Sequence, residues 1–199
     1  MLITFEGIDK CGKSTQALLL YKYLVSLNYD VVLTKEPTDE FIGSLIRKVL
    51  RKEIQIQDPK SLCLLYVADR YEHLKSLILP ALKSNKIVIC DRFSLSTKTY
   101  QFINGVDSEY IRLVNRYSIE PDLTFYLDID PKEAIKRIDQ GKEEYFEKEE
   151  FLTKTREQYL IHTHLELDSN TIEIRQDTIE NMHKQIIKET NKKLRELGR

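Results

Sequence analysis

Cysteine is scarce in this 199-residue chain. The three present, Cys11, Cys63 and Cys90, show no C-x-x-C spacing, no accompanying Cys/His pattern and no secretory signal before them. That argues against a disulfide framework or a zinc cluster and points to a reducing, cytoplasmic compartment. No apolar stretch approaches the ~20 residues needed to span a bilayer, so no membrane role is expected. Charge of neither sign is in surplus: 31 Lys and Arg stand against 32 Asp and Glu, for a formal net charge of -1. A protein whose main partner is nucleic acid or an anionic membrane usually carries a basic excess. Neither partner is expected, and any phosphate site must gather its cations locally. Internal repeats and low-complexity linkers are also missing. With 41% hydrophobic and 32% charged residues, the composition is that of a globular protein, and the length suits a single domain over residues 1–199.

What the chain does contain is Gly7-Ile8-Asp9-Lys10-Cys11-Gly12-Lys13-Ser14, a full match to G-x-x-x-x-G-K-[ST]. It follows the strand-like run Leu2-Ile3-Thr4-Phe5-Glu6 and precedes an amphipathic run from Ala17, with Ala17, Leu20, Tyr21 and Leu24 at helical spacing. A glycine-framed loop can turn successive backbone N–H groups inward, and the free amides of the following helix face the same anion. Lys13 adds a mobile cation and the Ser14 hydroxyl a ligand for Mg²⁺. The segment from Gly7 through Thr15 is therefore the expected phosphate-binding loop of a nucleotide-using protein.

Strand-like runs recur at 2–6, 31–34, 87–91, 123–128 and 171–174, separated by helix-like segments. This alternation predicts an α/β fold with a five-stranded parallel sheet and helices on both faces. In such sheets ligands gather at the carboxyl ends of the strands. Chemically interesting residues stand there: Glu6 and Asp9, then Lys35-Glu36-Pro37, then Asp91-Arg92, then Asp128 and Asp130. Helices are expected over 61–84, 131–138, 148–167 and 179–197, with the polar segment between the second and third forming a short lid at about 139–147.

A guanine-reading N-K-x-D pattern is missing, because Asn85-Lys86-Ile87-Val88 and Asn191-Lys192-Lys193-Leu194 both fail at the Asp. That disfavours a GTPase switch, and the chain is short for a motor ATPase, which leaves a small phosphotransferase. Asp91 ends an apolar strand where a carboxylate can hold Mg²⁺, and Arg92 beside it can bind an acceptor phosphate. Tyr66 and Arg70 share one helix face, as do Thr97, Tyr100 and Gln101. An aromatic ring with donors and acceptors around it suits a nucleobase.

Together these motifs resemble the thymidylate kinases, the P-loop nucleoside monophosphate kinases that make dTDP from dTMP and ATP. Phe5 through Gln16 resembles F-E-G-x-D-x-x-G-K-[ST]-T-Q, and Lys35-Glu36-Pro37 resembles R-E-P. Leu64 through Arg70 resembles L-L-F-x-A-x-R. Asp91 through Gln101 resembles D-R-[YFH]-x-x-S-[TSN]-x-A-Y-Q, and Pro121 through Asp128 resembles P-D-L-T-x-x-L-D. The resemblance implies that Tyr66 stacks on thymine, Arg70 bonds its carbonyl edge, and Thr97 and Gln101 lie near the base. Tyr100 would lie beneath the sugar, Asp9 would hold the 3′-hydroxyl, Arg92 the dTMP phosphate, and Arg137 would face adenine. Glu36 belongs to the same acceptor set, and a cytoplasmic homodimer is implied.

Some positions depart from the family pattern. The family draws a catalytic cation from an Arg in the phosphate loop or in the lid. Here Lys10 occupies the loop position, while the lid segment Gly141 through Glu147 is acidic apart from Lys142. Lys10 is expected to act with Lys13 and Arg92 in catalysis, with Lys142 as a helper. Lysine offers a point charge where arginine offers a bidentate fork.

Overall fold

The computed structural model describes residues 1–137, 146, 148–164 and 170–199. Its five strands, β1 (Leu2–Glu6), β2 (Val31–Lys35), β3 (Ile87–Asp91), β4 (Leu123–Asp128) and β5 (Thr171–Arg175), form one sheet in the order β2-β3-β1-β4-β5. Every pairing is parallel. All five strands fall where the alternation of apolar runs placed them.

Side chains alternate across the sheet, so each face has its own core. Ile3 and Phe5 of β1, with Ile87 and Ile89 of β3, pack on one side against Leu20 and Leu24 of α1 (Lys13–Ser26) and Met182 and Ile186 of α9 (Ile179–Glu196). Leu2, Val88 and Cys90 face the other side, where Leu74, Ile78 and Ala81 cover them. The central strands β1, β3 and β4 are almost wholly buried, whereas the edge strands β2 and β5 are only partly so. This is the pattern expected of a parallel sheet clad on both faces.

Several helix boundaries differ from the sequence reading. α1 begins at Lys13, four residues before the first apolar position, because the phosphate loop runs straight into it. The expected helix over 61–84 is three pieces: α3 (Pro59–His73), a π-helical turn (Leu74–Ile78) and α4 (Leu79–Lys83). Pro80 has no N–H for the carbonyl four residues back, and the ladder widens just before it, with the Leu79 N–H reaching Leu74 O. Asp58 caps α3, its carboxylate accepting from the Lys60 N–H at 2.8 Å.

The helix expected over 131–138 is the short α7 (Pro131–Ile135), which gives way to a turn at 136–137. The one expected over 148–167 is α8 (Glu149–His164). Residues 165–167, and all of the expected lid at 139–147 except Phe146, lie outside the described residues; so does Lys142. The remaining helices are α2 (Phe41–Leu50), α5 (Ser94–Ile103) and α6 (Ser108–Asn115).

Register aligns the strand ends: Lys35 pairs with Asp91, Phe5 with both Asp91 and Phe125, and Asp128 with Arg175. The connection after β1 runs toward β2 and that after β3 runs the opposite way toward β4, so the loop after β1 lies at the switch point between these neighbouring strands.

Candidate active site

The loop after β1 is shaped by contacts that only its own residues allow. Gly7 adopts φ 138°, and a Cβ there would meet Leu127 O at 2.6 Å and Cys11 Sγ at 2.9 Å. Gly7 and Ile8 work through their carbonyls: Ile8 O accepts from Lys13 Nζ at 2.7 Å, and Gly7 O accepts from Arg92 Nη1 at 3.0 Å. Asp9, Lys10, Cys11, Gly12, Lys13, Ser14 and Thr15 line a cavity of about 800 Å³ that opens over the sheet's carboxyl edge. Lys10 stands exposed with φ 62°. Its carbonyl accepts from Arg137 Nη1 at 3.0 Å, which sets Arg137 on the rim of the same cavity.

At the end of β3, Asp91 and Arg92 both line this cavity. Ser14 Oγ donates to Asp91 Oδ2 at 2.5 Å, so a hydroxyl and a carboxylate oxygen are juxtaposed beside the phosphate loop. Hard oxygen ligands of this kind suit Mg²⁺, which is usually held by one or two protein oxygens together with substrate phosphates. Arg92, at φ 70°, turns its guanidinium into the site. Its Nη2 donates to Asp9 Oδ1 at 2.6 Å, its Nη1 to Ser96 Oγ at 3.1 Å, and its plane lies 5.0 Å from the Tyr100 ring centre. Tyr100 OH in turn donates to Asp9 Oδ2 at 2.9 Å.

Electrostatics follow from this packing. Burial pushes the Asp9 carboxyl upward, but the charges of Arg92 and Lys13 more than offset it and hold the group below its usual range. Burial works against the charged Arg92, yet Asp9 and Tyr100 secure its proton and raise it well above the ordinary value. Burial raises the Tyr100 phenol well above its usual range, so it stays a donor.

Away from the phosphate loop the cavity is lined by Glu36, Tyr66, Thr97, Tyr100 and Gln101. Gln101 is fully buried, and neither Oε1 nor Nε2 has a partner among the described residues. A buried amide left unpaired is costly, and on a cavity wall its donor and acceptor are open to a ligand or water. Arg70 departs from expectation. It is 1% exposed and is not among the lining side chains; it lies in the wall behind them. There Nε donates to Glu36 Oε2 at 2.9 Å, Nη2 to Thr97 Oγ1 at 2.7 Å, and Nη1 to Asn115 Oδ1 at 2.7 Å.

Comparison with known proteins bears directly on this constellation. The family model described as thymidylate kinase matches residues 5–186. The chain belongs to the thymidylate kinase family. A probable thymidylate kinase of Thermococcus onnurineus is 45% identical over 169 residues, covering 80% of this chain and 82% of the relative. A probable thymidylate kinase of Methanocaldococcus jannaschii is 39% identical over 94% of each chain. Among solved structures, the crystal structure of thymidylate kinase from Ehrlichia chaffeensis superposes with a TM-score of 0.77 at 34% identity, covering 96% of this chain and 98% of that one.

In this thymidylate kinase family member, several supporting residues escaped the sequence reading. Glu6 is fully buried at the end of β1 and accepts from the Phe93 N–H at 2.9 Å, the Ser96 N–H at 3.2 Å and Tyr159 OH at 3.1 Å, besides bonding Ser96 Oγ. Burial raises its carboxyl above the usual range despite Ser96 and Arg92. Its position in F-E-G was visible in the sequence, but its partners, some ninety residues away or more, were not. His73, Asn115 and Asp69 are similar cases.

Glu36, His73 and Cys90 stand close enough to suggest a metal site, the single such cluster of His, Cys and acidic groups among the described residues. Glu36, however, is committed to Arg70 and His73, and burial raises the Cys90 thiol well above its usual range, so it keeps its proton. The trio reads as a buried hydrogen-bonded wall.

Proposed function

We propose that this chain, as a single P-loop kinase domain, transfers the γ-phosphoryl group of ATP to the 5′-phosphate of dTMP, yielding dTDP and ADP for dTTP synthesis. The observation that carries this reading is Gln101. Its unpaired amide offers one donor and one acceptor to a cavity already lined by the Tyr66 and Tyr100 rings. The N3–H and adjacent carbonyl of thymine satisfy both. Tyr66 supplies the stacking face, Thr97 a further polar contact, and Tyr100 crowds the sugar where a 2′-hydroxyl would sit. Asp9, ionised and fixed by Arg92, is placed to accept from the 3′-hydroxyl.

Arg92 holds the acceptor phosphate, and Lys13 and the amides of residues 10–15 hold the phosphates of ATP. The acceptor is already an anion, so no side-chain base or nucleophile is required. A dTMP phosphate oxygen attacks the γ-phosphorus in line, the bond to the β-bridging oxygen breaks, and ADP departs with that electron pair. The residues position two anions and neutralise charge as it moves between them. Ser14 and Asp91 would hold Mg²⁺, whose charge would offset that of the phosphates.

Lys10, at the exposed tip of the loop, is assigned to the transferring group. Lys10→Ala should lower kcat by ~10²-fold with little change in the KM for dTMP, measured by steady-state kinetics. A fall in dTMP affinity with kcat intact would remove Lys10 from the catalytic set. Arg137 on the cavity rim is assigned to adenine. Support for a homodimer comes from the family and from apolar side chains exposed on neighbouring helices, Phe41 of α2 and Leu64 of α3. Three buried free cysteines agree with a cytoplasmic setting, and no helix among the described residues is long and apolar enough to cross a membrane.

The deciding experiment is ADP release with Mg-ATP and dTMP, dUMP, UMP, dCMP or thymidine as acceptor, with the product identified directly. dTMP should be preferred. In parallel, Gln101→Leu should raise the KM for dTMP roughly tenfold while leaving thermal stability intact or improved, because it removes a buried unpaired amide. Preference for another acceptor would reassign the pocket, and silence with all five would indicate a nucleotide-binding module without transferase activity.

A further inference from the structure

One turn of α3 grips alternate residues from the end of β2 into the segment that follows it. His73 Nε2 meets Thr34 Oγ1 at 2.8 Å. Arg70 and His73, three residues apart on one helix face, both reach Glu36, with His73 Nδ1 lying 3.1 Å from Glu36 Oε1. Asp69 receives the Thr38 N–H at 2.8 Å and the Thr38 hydroxyl at 2.6 Å. From its other side the segment is pinned by α2, where a Cβ on Gly43 would lie 2.0 Å from Thr38 O. Of these anchors, Glu36 lines the cavity and His73 does not.

With its proton on Nδ1, the His73 ring donates to the Glu36 carboxylate and accepts the Thr34 hydroxyl proton at Nε2. Both ring nitrogens are then satisfied in a site where His73 is 4% exposed. Glu36 Oε1 is thereby engaged by His73, and Oε2 takes Arg70 at 2.9 Å through Nε and 2.8 Å through Nη2. Arg70 then extends the chain of hydrogen bonds to Thr97, beside Gln101 on the cavity wall. The π-helical turn starts at Leu74, immediately after His73, and such turns commonly re-aim side chains at functional sites.

We infer that His73 is a positioning residue for acceptor binding: its Nδ1–H fixes the rotamer of Glu36, and through Arg70 it fixes Thr97 in the wall that receives the nucleobase. This rests on the assignment of that cavity to dTMP. His73 touches no substrate, so its effect falls on acceptor recognition and leaves the ATP side alone.

The test compares His73→Leu, His73→Gln, His73→Asn and Thr34→Val by steady-state kinetics, with dTMP and ATP varied separately and a thermal melt for each. Asparagine can place an amide N–H near the position of Nδ1, whereas glutamine reaches nearer to Nε2. His73→Leu and His73→Gln should raise the KM for dTMP roughly tenfold, the loss of about one buried hydrogen bond, with kcat and the KM for ATP within about twofold. His73→Asn should recover most of that loss. Thr34→Val, which keeps side-chain volume, should show the same split to a smaller degree.

An unchanged KM for dTMP in His73→Leu would overturn the inference. So would equal defects in His73→Asn and His73→Leu, or a fall in all parameters that tracks the loss of melting temperature. Should His73→Leu fail to fold, Thr34→Val and His73→Asn decide alone: a split with Thr34→Val and near-normal kinetics with His73→Asn support the role, and any other pairing overturns it. If the unaltered protein does not phosphorylate dTMP, the acceptor assignment itself falls, a result separate from unresponsive variants in an active enzyme.

Discussion

Replacing Arg92 with methionine should lower kcat/KM for dTMP by ~10³-fold or more, with the KM for ATP little changed. The side chain binds Gly7 O at 3.0 Å, Ser96 Oγ at 3.1 Å and Asp9 Oδ1 at 2.6 Å, so one guanidinium ties two points of the phosphate loop to α5. Methionine fills similar volume but offers no cation to an incoming phosphate. Lysine should recover little, because one ammonium cannot reproduce a planar fork spanning three partners. Steady-state kinetics with each nucleotide varied, and calorimetric titration with dTMP, separate acceptor binding from the chemical step.

The same replacement has a pH signature. Asp9 is held below its usual range against the upward push of burial, with Arg92 the first of the cations that do so. A carboxyl depressed in the folded state contributes stability above its unfolded value and loses it as pH falls through the folded one. In Arg92→Met that contribution should shrink, so wild type and variant should converge in stability toward the acid end. A variant that lost the same stability at every pH would show that Asp9 owes its ionisation to other groups.

The largest stability effect is expected from Glu36→Ala, at about 3–5 kcal/mol, because the guanidinium of Arg70 stays buried after its counter-charge is removed. For a domain of this size that corresponds to a fall in melting temperature of roughly 6–20 °C. Arg70 would retain Thr97 and Asn115, both uncharged. Glu36→Gln keeps the shape and one acceptor oxygen and should cost less. Equal melting temperatures for wild type and Glu36→Ala would mean that water reaches Arg70 and that the wall is open.

The strands were legible because each is a short β-branched or apolar run that closes on a polar group, and the central three are buried on both faces. The phosphate loop was legible because its chemistry is local: a turn, a cation and a hydroxyl within eight residues. Helix ends were less so. The break at Leu74–Ile78 stems from Pro80, whose effect on the ladder falls several residues upstream of the proline itself.

Arg70 was read as a residue that contacts the base, yet it is buried behind Thr97 and Glu36, which the sequence did not reveal. That depends on Asn115, forty-five residues on, arriving from α6. Glu6 shows the same limit: a carboxylate in a strand looks like a ligand until the distant donors that consume its oxygens are known. Sequence pattern recovers groups that act where they stand. It misses those that act by holding others.

The strand order β2-β3-β1-β4-β5 has one more consequence. Side chains assigned to the acceptor beyond the central loop, from Glu36 to Gln101, arise from the chain that builds the β2 and β3 side. Arg137, assigned to the donor, and the further cavity-lining residues Gln176 and Asp177 come from the β4 and β5 side. On the proposed assignment the two substrates are read by two consecutive stretches of one polypeptide, joined through the loop at residues 7–15. A change of acceptor can be written entirely within the first stretch, and the machinery for ATP can be inherited unaltered.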